Sequence, residues 1–215
     1  MKGKFLCIEG TDGSGKATQV KLLSQKLKIP HGVISFPRYG NNPHADQVKK
    51  YLTGKSGKKE KISPYEISLA FAEDRALAKP QIEKWLEDGK LVIADRYVSS
   101  SKAHLAAQLP ESERQKFINW LDDLEYKTNN IPREDLVIFL FVPPEVSQKN
   151  IDSPERDILE KDLEHQKNTS KIYQELAKNP VWITINCVEN GKMRNKNEIN
   201  EEVRGVLIDK LNLKL

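Results

Sequence analysis

Short apolar runs recur along the chain at 5–8, 33–36, 91–94, 136–142 and 181–185, each rich in Val, Ile, Leu or Phe. Runs of this length with little polar alternation predict strands buried on both faces of a parallel sheet. Between them, apolar residues return every three to four positions and predict helices at 17–28, 44–53, 64–87, 111–127, 157–178 and 197–211. Strand, helix, strand repeated along the chain predicts an α/β, doubly wound arrangement. One helix start is well marked: Ser63 supplies a capping hydroxyl, Pro64 a first-turn proline and Glu66 a reciprocal carboxylate. Pro80, inside the same run, predicts a break into 64–79 and 80–87. The basic stretch 54–61 (GKSGKKEK) reads as a solvated connection, because no aromatic residue interleaves with its lysines to stack a base. The stretch 189–198 reads as a loop.

Composition narrows the class. The 215 residues suit one domain with its own core. Hydrophobic residues at 38% and charged residues at 31% fit neither a disordered nor a membrane chain. The net charge of +4 permits an anionic ligand without demanding a polyanion. Cys7 and Cys187 stand far apart with no metal spacing, which predicts reduced thiols and a cytoplasmic protein, Cys7 being buried and inert. The opening MKGKFLCIEG lacks the pattern of a secretory signal, and no stretch approaches a membrane span.

Candidate chemistry begins right after the first strand. Gly10, Thr11, Asp12, Gly13, Ser14, Gly15 and Lys16 fit GxxxxGK, which background composition would produce about 0.07 times in a chain this long. Glycines let several backbone N–H groups converge on one phosphate, the following helix adds its positive end, and a lysine there reaches the β and γ phosphates. The position that normally supplies a Mg²⁺-ligating hydroxyl is Ala17, and Thr18, the next residue, points about 100° away on a helix. Asp12 and Asp95 are therefore the candidate metal ligands. In an open α/β sheet the ligand crevice lies at the carboxyl ends of the strands. The second strand ends in Phe36, Pro37, Arg38 and Tyr39, the third in Asp95, Arg96 and Tyr97. Arginine forks suit phosphate oxygens, so Arg38 and Arg96 become clamps for a second phosphate-bearing substrate.

The segments GTDGSGKATQ, SFPRYG, LAFAEDR, ADRYVSSSKAH and RDILEKDLEHQ resemble thymidylate kinases in order and spacing, over nearly the whole chain and most closely the bacterial branch. The resemblance implies a P-loop NTPase fold: α/β, a five-stranded parallel sheet with helices on both faces and a small mobile lid near 147–165, the whole forming one domain over 1–215. It implies transfer of the γ-phosphoryl group of ATP to dTMP with Mg²⁺, small-molecule substrates rather than nucleic acid or membrane, and a homodimer. By resemblance Phe71 stacks on the base and Arg75 hydrogen-bonds it; spaced four residues apart, they share one helix face. Arg96 matches a phosphate-binding arginine, and Arg38 and Tyr39 residues around the acceptor phosphate. Asp12 matches the carboxylate near the sugar and metal, and Ser100 and Ser101 polar groups at the nucleotide. Arg156 matches a lid arginine approaching the transferring phosphate. Lys161, Asp162 and Glu164 fall in the same segment and read first as a solvated face. The adenine contacts would lie near 186–190. His104 departs from the family pattern, standing where many members carry a tyrosine or phenylalanine that disfavours a 2′-hydroxyl. It motivates a second reading, a kinase of another pyrimidine monophosphate. A regulatory or nucleic-acid-associated P-loop protein is a third, and a catalytically silent relative, motivated by Ala17 alone, a fourth.

Overall fold

The computed structural model describes residues 2–55, 62–150 and 162–213. All five predicted strands form: β1 (Lys4–Glu9), β2 (His31–Ser35), β3 (Leu91–Asp95), β4 (Leu136–Phe141) and β5 (Trp182–Asn186). They pair in parallel in the order β2-β3-β1-β4-β5. Central β1 sends alternate side chains to opposite faces, as a strand must. Phe5 and Cys7 enter one core with Val92, Val137 and Phe139, whereas Leu6 and Ile8 enter a second with Ile93, Ile138 and Leu140. Helices α1 (Lys16–Lys26) and α8 (Lys196–Leu211) cover the second core through residues such as Leu23 and Val203. On the first lie α2 (Pro43–Leu52), α3 (Pro64–Glu87), α4 (Val98–Ala106), α5 (Glu111–Asp122) and α7 (Leu163–Leu176). A four-residue helix α6 (Pro144–Ser147) precedes the segment 151–161, which lies outside the described residues, as do 56–61 of the basic stretch. No described helix is long and apolar enough to cross a membrane.

Several elements differ from the sequence reading. The run 64–87 is one helix with Pro80 inside it, not two. Pro80 lies on the exposed face, so the carbonyl it orphans can turn to water, while Ala78, Ile82 and Leu86 hold both sides against the core. Ser63 and Glu66 form the expected capping box. Helix α4 was not foreseen: its VSSSKAHLA sequence has three consecutive serines, which favour turns over helix interiors. The predicted helix 111–127 changes character partway, α5 running on into a π-helix, Asp123–Thr128. The supposed loop 189–198 contains a hairpin of β6 (Val188–Glu189) and β7 (Lys192–Met193), with α8 starting at Lys196. Its turn is Asn190-Gly191, both at positive φ (50° and 73°), the pair that a two-residue hairpin turn favours. Both cysteines are free and buried, and burial raises the Cys7 thiol well above its usual range and Cys187 to about 12, so neither is poised to react.

Candidate active site

The loop between β1 and α1 closes a phosphate-sized cradle. Gly10 has no room for a side chain, since a Cβ there would come 2.5 Å from Ser14 Oγ and 2.8 Å from the Leu140 carbonyl. Gly15, at φ +88°, sits at the N-terminus of α1 in the left-handed region that glycine enters without strain. Lys16 folds back along the loop and donates to the carbonyls of Gly10 (3.0 Å) and Thr11 (2.8 Å). Burial, helped by the Arg96 cation, lowers its pKa to about 8 against the opposing pull of Asp12, Asp95 and Glu9. The hydroxyls of Thr11 and Ser14 are buried without a hydrogen-bond partner. Two orphaned hydroxyls in a glycine-bearing loop at the N-terminus of α1 suit an anionic ligand rich in acceptor oxygens. Ala17 and Thr18 point outward, exposed.

Beside the cradle, Arg96 leaves β3 at φ 67°, a left-handed conformation that is costly for a residue with a long side chain. Its N–H donates to the Ile8 carbonyl of β1 at 3.1 Å. The guanidinium Nη2 pairs with the Asp12 carboxylate, and Nη1 donates to Ser100 Oγ and His104 Nε2, both at 3.3 Å. Burial alone would raise the Asp12 carboxyl; Arg96 overrides it and, with His104, Lys16 and a 3.3 Å hydrogen bond from Gln166 of α7, holds it well below the usual range. Burial lowers His104 to about 3, and the Arg96 cation adds to the effect. A neutral imidazole facing a permanent cation must accept through Nε2, which leaves its proton on Nδ1. Asp95, half buried at the end of β3, is raised by burial against the pull of Lys16 and Arg96.

Glu9, overlooked in the sequence, organises this corner. Wholly buried, it accepts from Tyr97 N (2.9 Å), Ser100 N (3.2 Å), Ser100 Oγ (2.7 Å) and the Tyr173 hydroxyl (2.9 Å). Tyr97 gives α4 no side-chain cap, so a carboxylate from the neighbouring strand satisfies the open amides and complements the helix dipole. That is how a serine-rich segment becomes a helix, and why Ser100 meets Arg96.

Next to Arg96 opens a cleft of about 280 Å³. Its walls contain Asp12, Phe36, Pro37, Tyr39, Phe71, Arg75, Arg96, Ser100, Ser101 and His104, every substrate position singled out in the sequence except Arg38. Leu52, Tyr97 and Leu105 also line it and had not been singled out. The Phe36–Pro37 peptide is cis. Phe71 lies on the cleft wall, its ring centroid 6.0 Å from the Arg75 guanidinium carbon. Arg38 is directed elsewhere: its Nε donates to Asp74 Oδ1 at 2.8 Å, Nη2 to the Asp74 carbonyl at 2.7 Å, and its backbone N–H to Asp74 Oδ2 at 2.9 Å. Asp74 also takes the Asn42 amide at 2.6 Å and so pins the segment after β2 to α3. Arg38 thus forms a strut through Nε and Nη2.

Arg156 and Lys161 lie outside the described residues. Asp162 caps α7 by accepting from His165 N at 3.0 Å, and Glu164 is exposed on its first turn. Among the described residues no group of three His, Cys, Asp or Glu side chains is arranged to hold a metal. A polyphosphate cradle and a base-sized slot therefore meet at one arginine, an arrangement suited to passing a phosphoryl group between two bound phosphates.

A sequence profile of the family described as Thymidylate kinase matches residues 8–199. The thymidylate kinase of Mycobacterium tuberculosis (strain ATCC 25618 / H37Rv) is 34% identical over 183 residues, covering 80% of this chain and 85% of that protein. That of Thermoanaerobacter pseudethanolicus is 33% identical over 165 residues, covering 75% and 77%. The thymidylate kinase of Plasmodium falciparum (isolate 3D7) is 29% identical over 211 residues, covering 97% and 93%. Among solved structures, the thymidylate kinase of Candida albicans superposes with a TM-score of 0.79 over 98% of this chain and 93% of its own, at 24% identity, a likeness of fold.

Proposed function

The chain belongs to the thymidylate kinase family and is a nucleoside monophosphate kinase, and from that premise we propose that it transfers the γ-phosphoryl group of ATP to dTMP, releasing ADP and dTDP. The observation that carries this reading is the Arg96–Asp12 contact, which joins the phosphate cradle to the base-sized cleft. The amides of residues 10–16, with Lys16, hold the donor phosphates. Anionic oxygens draw the Lys16 ammonium off the Gly10 and Thr11 carbonyls and restore its full charge. The acceptor's base lies against Phe71 and meets Arg75, and its phosphate meets Arg96, whose Nη1 is oriented by Ser100 and His104. Catalysis is positioning and charge neutralisation, with no covalent intermediate.

The donor set fits Mg²⁺ held chiefly by phosphates and water. Ala17 offers no oxygen, and Asp12 is engaged by Arg96 and Gln166. Asp95 accepts no side-chain hydrogen bond among the described residues and lies within reach of the Lys16 field. Mg²⁺ commonly takes one or two carboxylates beside the nucleotide oxygens, so Asp95, with Asp12, would hold it. Bound there, it would offset charge on the phosphate oxygens.

We extend the reading to one domain over 1–215 in which 147–165 acts as a lid, bringing Arg156 to the transferring phosphate and excluding water. A homodimer is supported by Leu69 and Leu77, 49% and 54% exposed on the outer face of α3. A cytoplasmic setting is supported by the two free cysteines. The test is a coupled ADP-release assay with dTMP, dUMP, UMP and CMP, with and without Mg²⁺. The highest kcat/KM is expected for dTMP, in a strictly Mg²⁺-dependent reaction. A preference for a ribonucleotide would overturn the assignment.

A further inference from the structure

Arg75 is one of the largest side chains the fold buries completely, 1% exposed, and Glu125, at 0%, is buried with it. Either charge alone in that interior would be prohibitive, and the pair survives because its geometry satisfies it. A guanidinium has five N–H donors. Here Nε and Nη2 donate to Glu125 Oε1 at 2.9 and 2.5 Å, Nη2 also donates to Ser101 Oγ at 3.0 Å, and Nη1 to the Tyr97 carbonyl at 3.3 Å. Those contacts use four of the five. One Nη1–H remains, on a side chain that lines the cleft with its guanidinium carbon 6.0 Å from the Phe71 ring centroid.

Glu125 does not line the cleft. Its Oε2 has no hydrogen-bond partner, so its carboxylate is given over to Arg75 through Oε1. It sits in the π-helix, whose end is closed by bonds from Asn129 N to the Leu124 carbonyl (2.9 Å) and from Ile131 N to the Glu125 carbonyl (3.2 Å). π-turns are rare and concentrate at functional sites, because widening one turn re-aims the residues on it.

We propose that Glu125 is a positioning residue that selects the pyrimidine: by occupying the Nε and Nη2 edge of Arg75 it orients the guanidinium so that a single fixed N–H faces the base. One immobile donor matches a 4-oxo group. It opposes a 4-amino group, whose own N–H would then be buried unpaired, and such mismatches discriminate far more strongly than a missing methylene. This rests on the reading of the cleft as the pyrimidine monophosphate site.

The experiment compares kcat/KM for dTMP and dCMP in the full-length wild type, Glu125→Gln and Glu125→Asp, with folding checked by thermal melting. Glutamine keeps the size and one acceptor but removes the charge; aspartate keeps the charge and retracts it by one methylene. The dTMP-over-dCMP ratio is expected to fall about tenfold or more in Glu125→Gln and about threefold or more in Glu125→Asp. The change should lie mainly in the KM for the acceptor, with the KM for ATP held within about twofold. A merely structural residue would lower kcat on every acceptor alike and leave the ratio unchanged, which would overturn the proposal. If the glutamine variant does not fold, the aspartate ratio decides by the same criterion. A wild type that does not phosphorylate dTMP removes the site assignment and this proposal with it. A selective wild type whose variants keep its ratio removes this proposal alone.

Discussion

The phosphate cradle and the base slot flank the same arginine and are built by opposite means. The cradle is seven consecutive residues whose work is done by main-chain amides and one lysine that rests on the loop's own carbonyls. The slot recruits side chains from the segment after β2, from α3 and from α4, held by ion pairs between residues far apart in sequence: Arg75 with Glu125 of the π-helix, Arg38 with Asp74. The cradle carries buried charge that costs stability and serves turnover. The slot carries buried charge that is mutually cancelled and serves shape.

That contrast is broken or sharpened most forcefully at Arg75. Arg75→Met strands the Glu125 carboxylate in the core and is expected to lower unfolding free energy by about 3–5 kcal/mol in urea titrations, whereas Arg75→Met with Glu125→Leu should recover most of it. A double variant as unstable as the single would mean that the pair is not self-contained. On the other side, Lys16→Met is expected to reduce kcat by about 10²–10³, the usual cost of one preorganised charge donor, without loss of stability. Lys16 has a folded pKa of about 8 against 10.5 when unfolded, so burying its charge costs on the order of 3 kcal/mol below pH 8. The unfolded chain binds the extra proton between pH 8 and 10.5, so this group makes stability rise with pH across that window. Urea titrations of Lys16→Met should lack that rise. The smallest effect is a fraction of a proton: at pH 8.5 ATP binding should take up as much as about 0.75 proton onto Lys16. Calorimetry in buffers of different ionisation enthalpy would detect it, and dTMP binding should show none.

How far each half could be read from the chain follows from the same difference. The cradle is contiguous, so composition and spacing reveal it, and the strand before it and helix after it formed where expected. Phe71 and Arg75 were legible only through the family resemblance, with which their spacing of four on one helix face agrees, and the strand-end residues Arg96 and Tyr39 because topology brings strand ends together. Glu125 gave no signal, being one acidic residue in an acidic helical stretch, its meaning fixed only by a partner fifty residues earlier. Asp74 was equally silent, its meaning fixed by the Arg38 guanidinium it engages from thirty-six residues away. Helix α4 could not be read because Glu9, which caps it, belongs to another strand. Pro80 misled because local propensity was outweighed by packing on the opposite face of α3.

The left-handed backbone of Arg96 creates a conflict for anyone selecting sturdier variants of this protein. At φ 67° glycine would relieve the strain, and a screen that rewards only heat tolerance would drive position 96 toward it. The winners would be well-folded proteins lacking the guanidinium that ties Asp12 of the loop to Ser100 of the cleft. Any selection campaign on this scaffold must therefore be coupled to turnover, with position 96 held fixed.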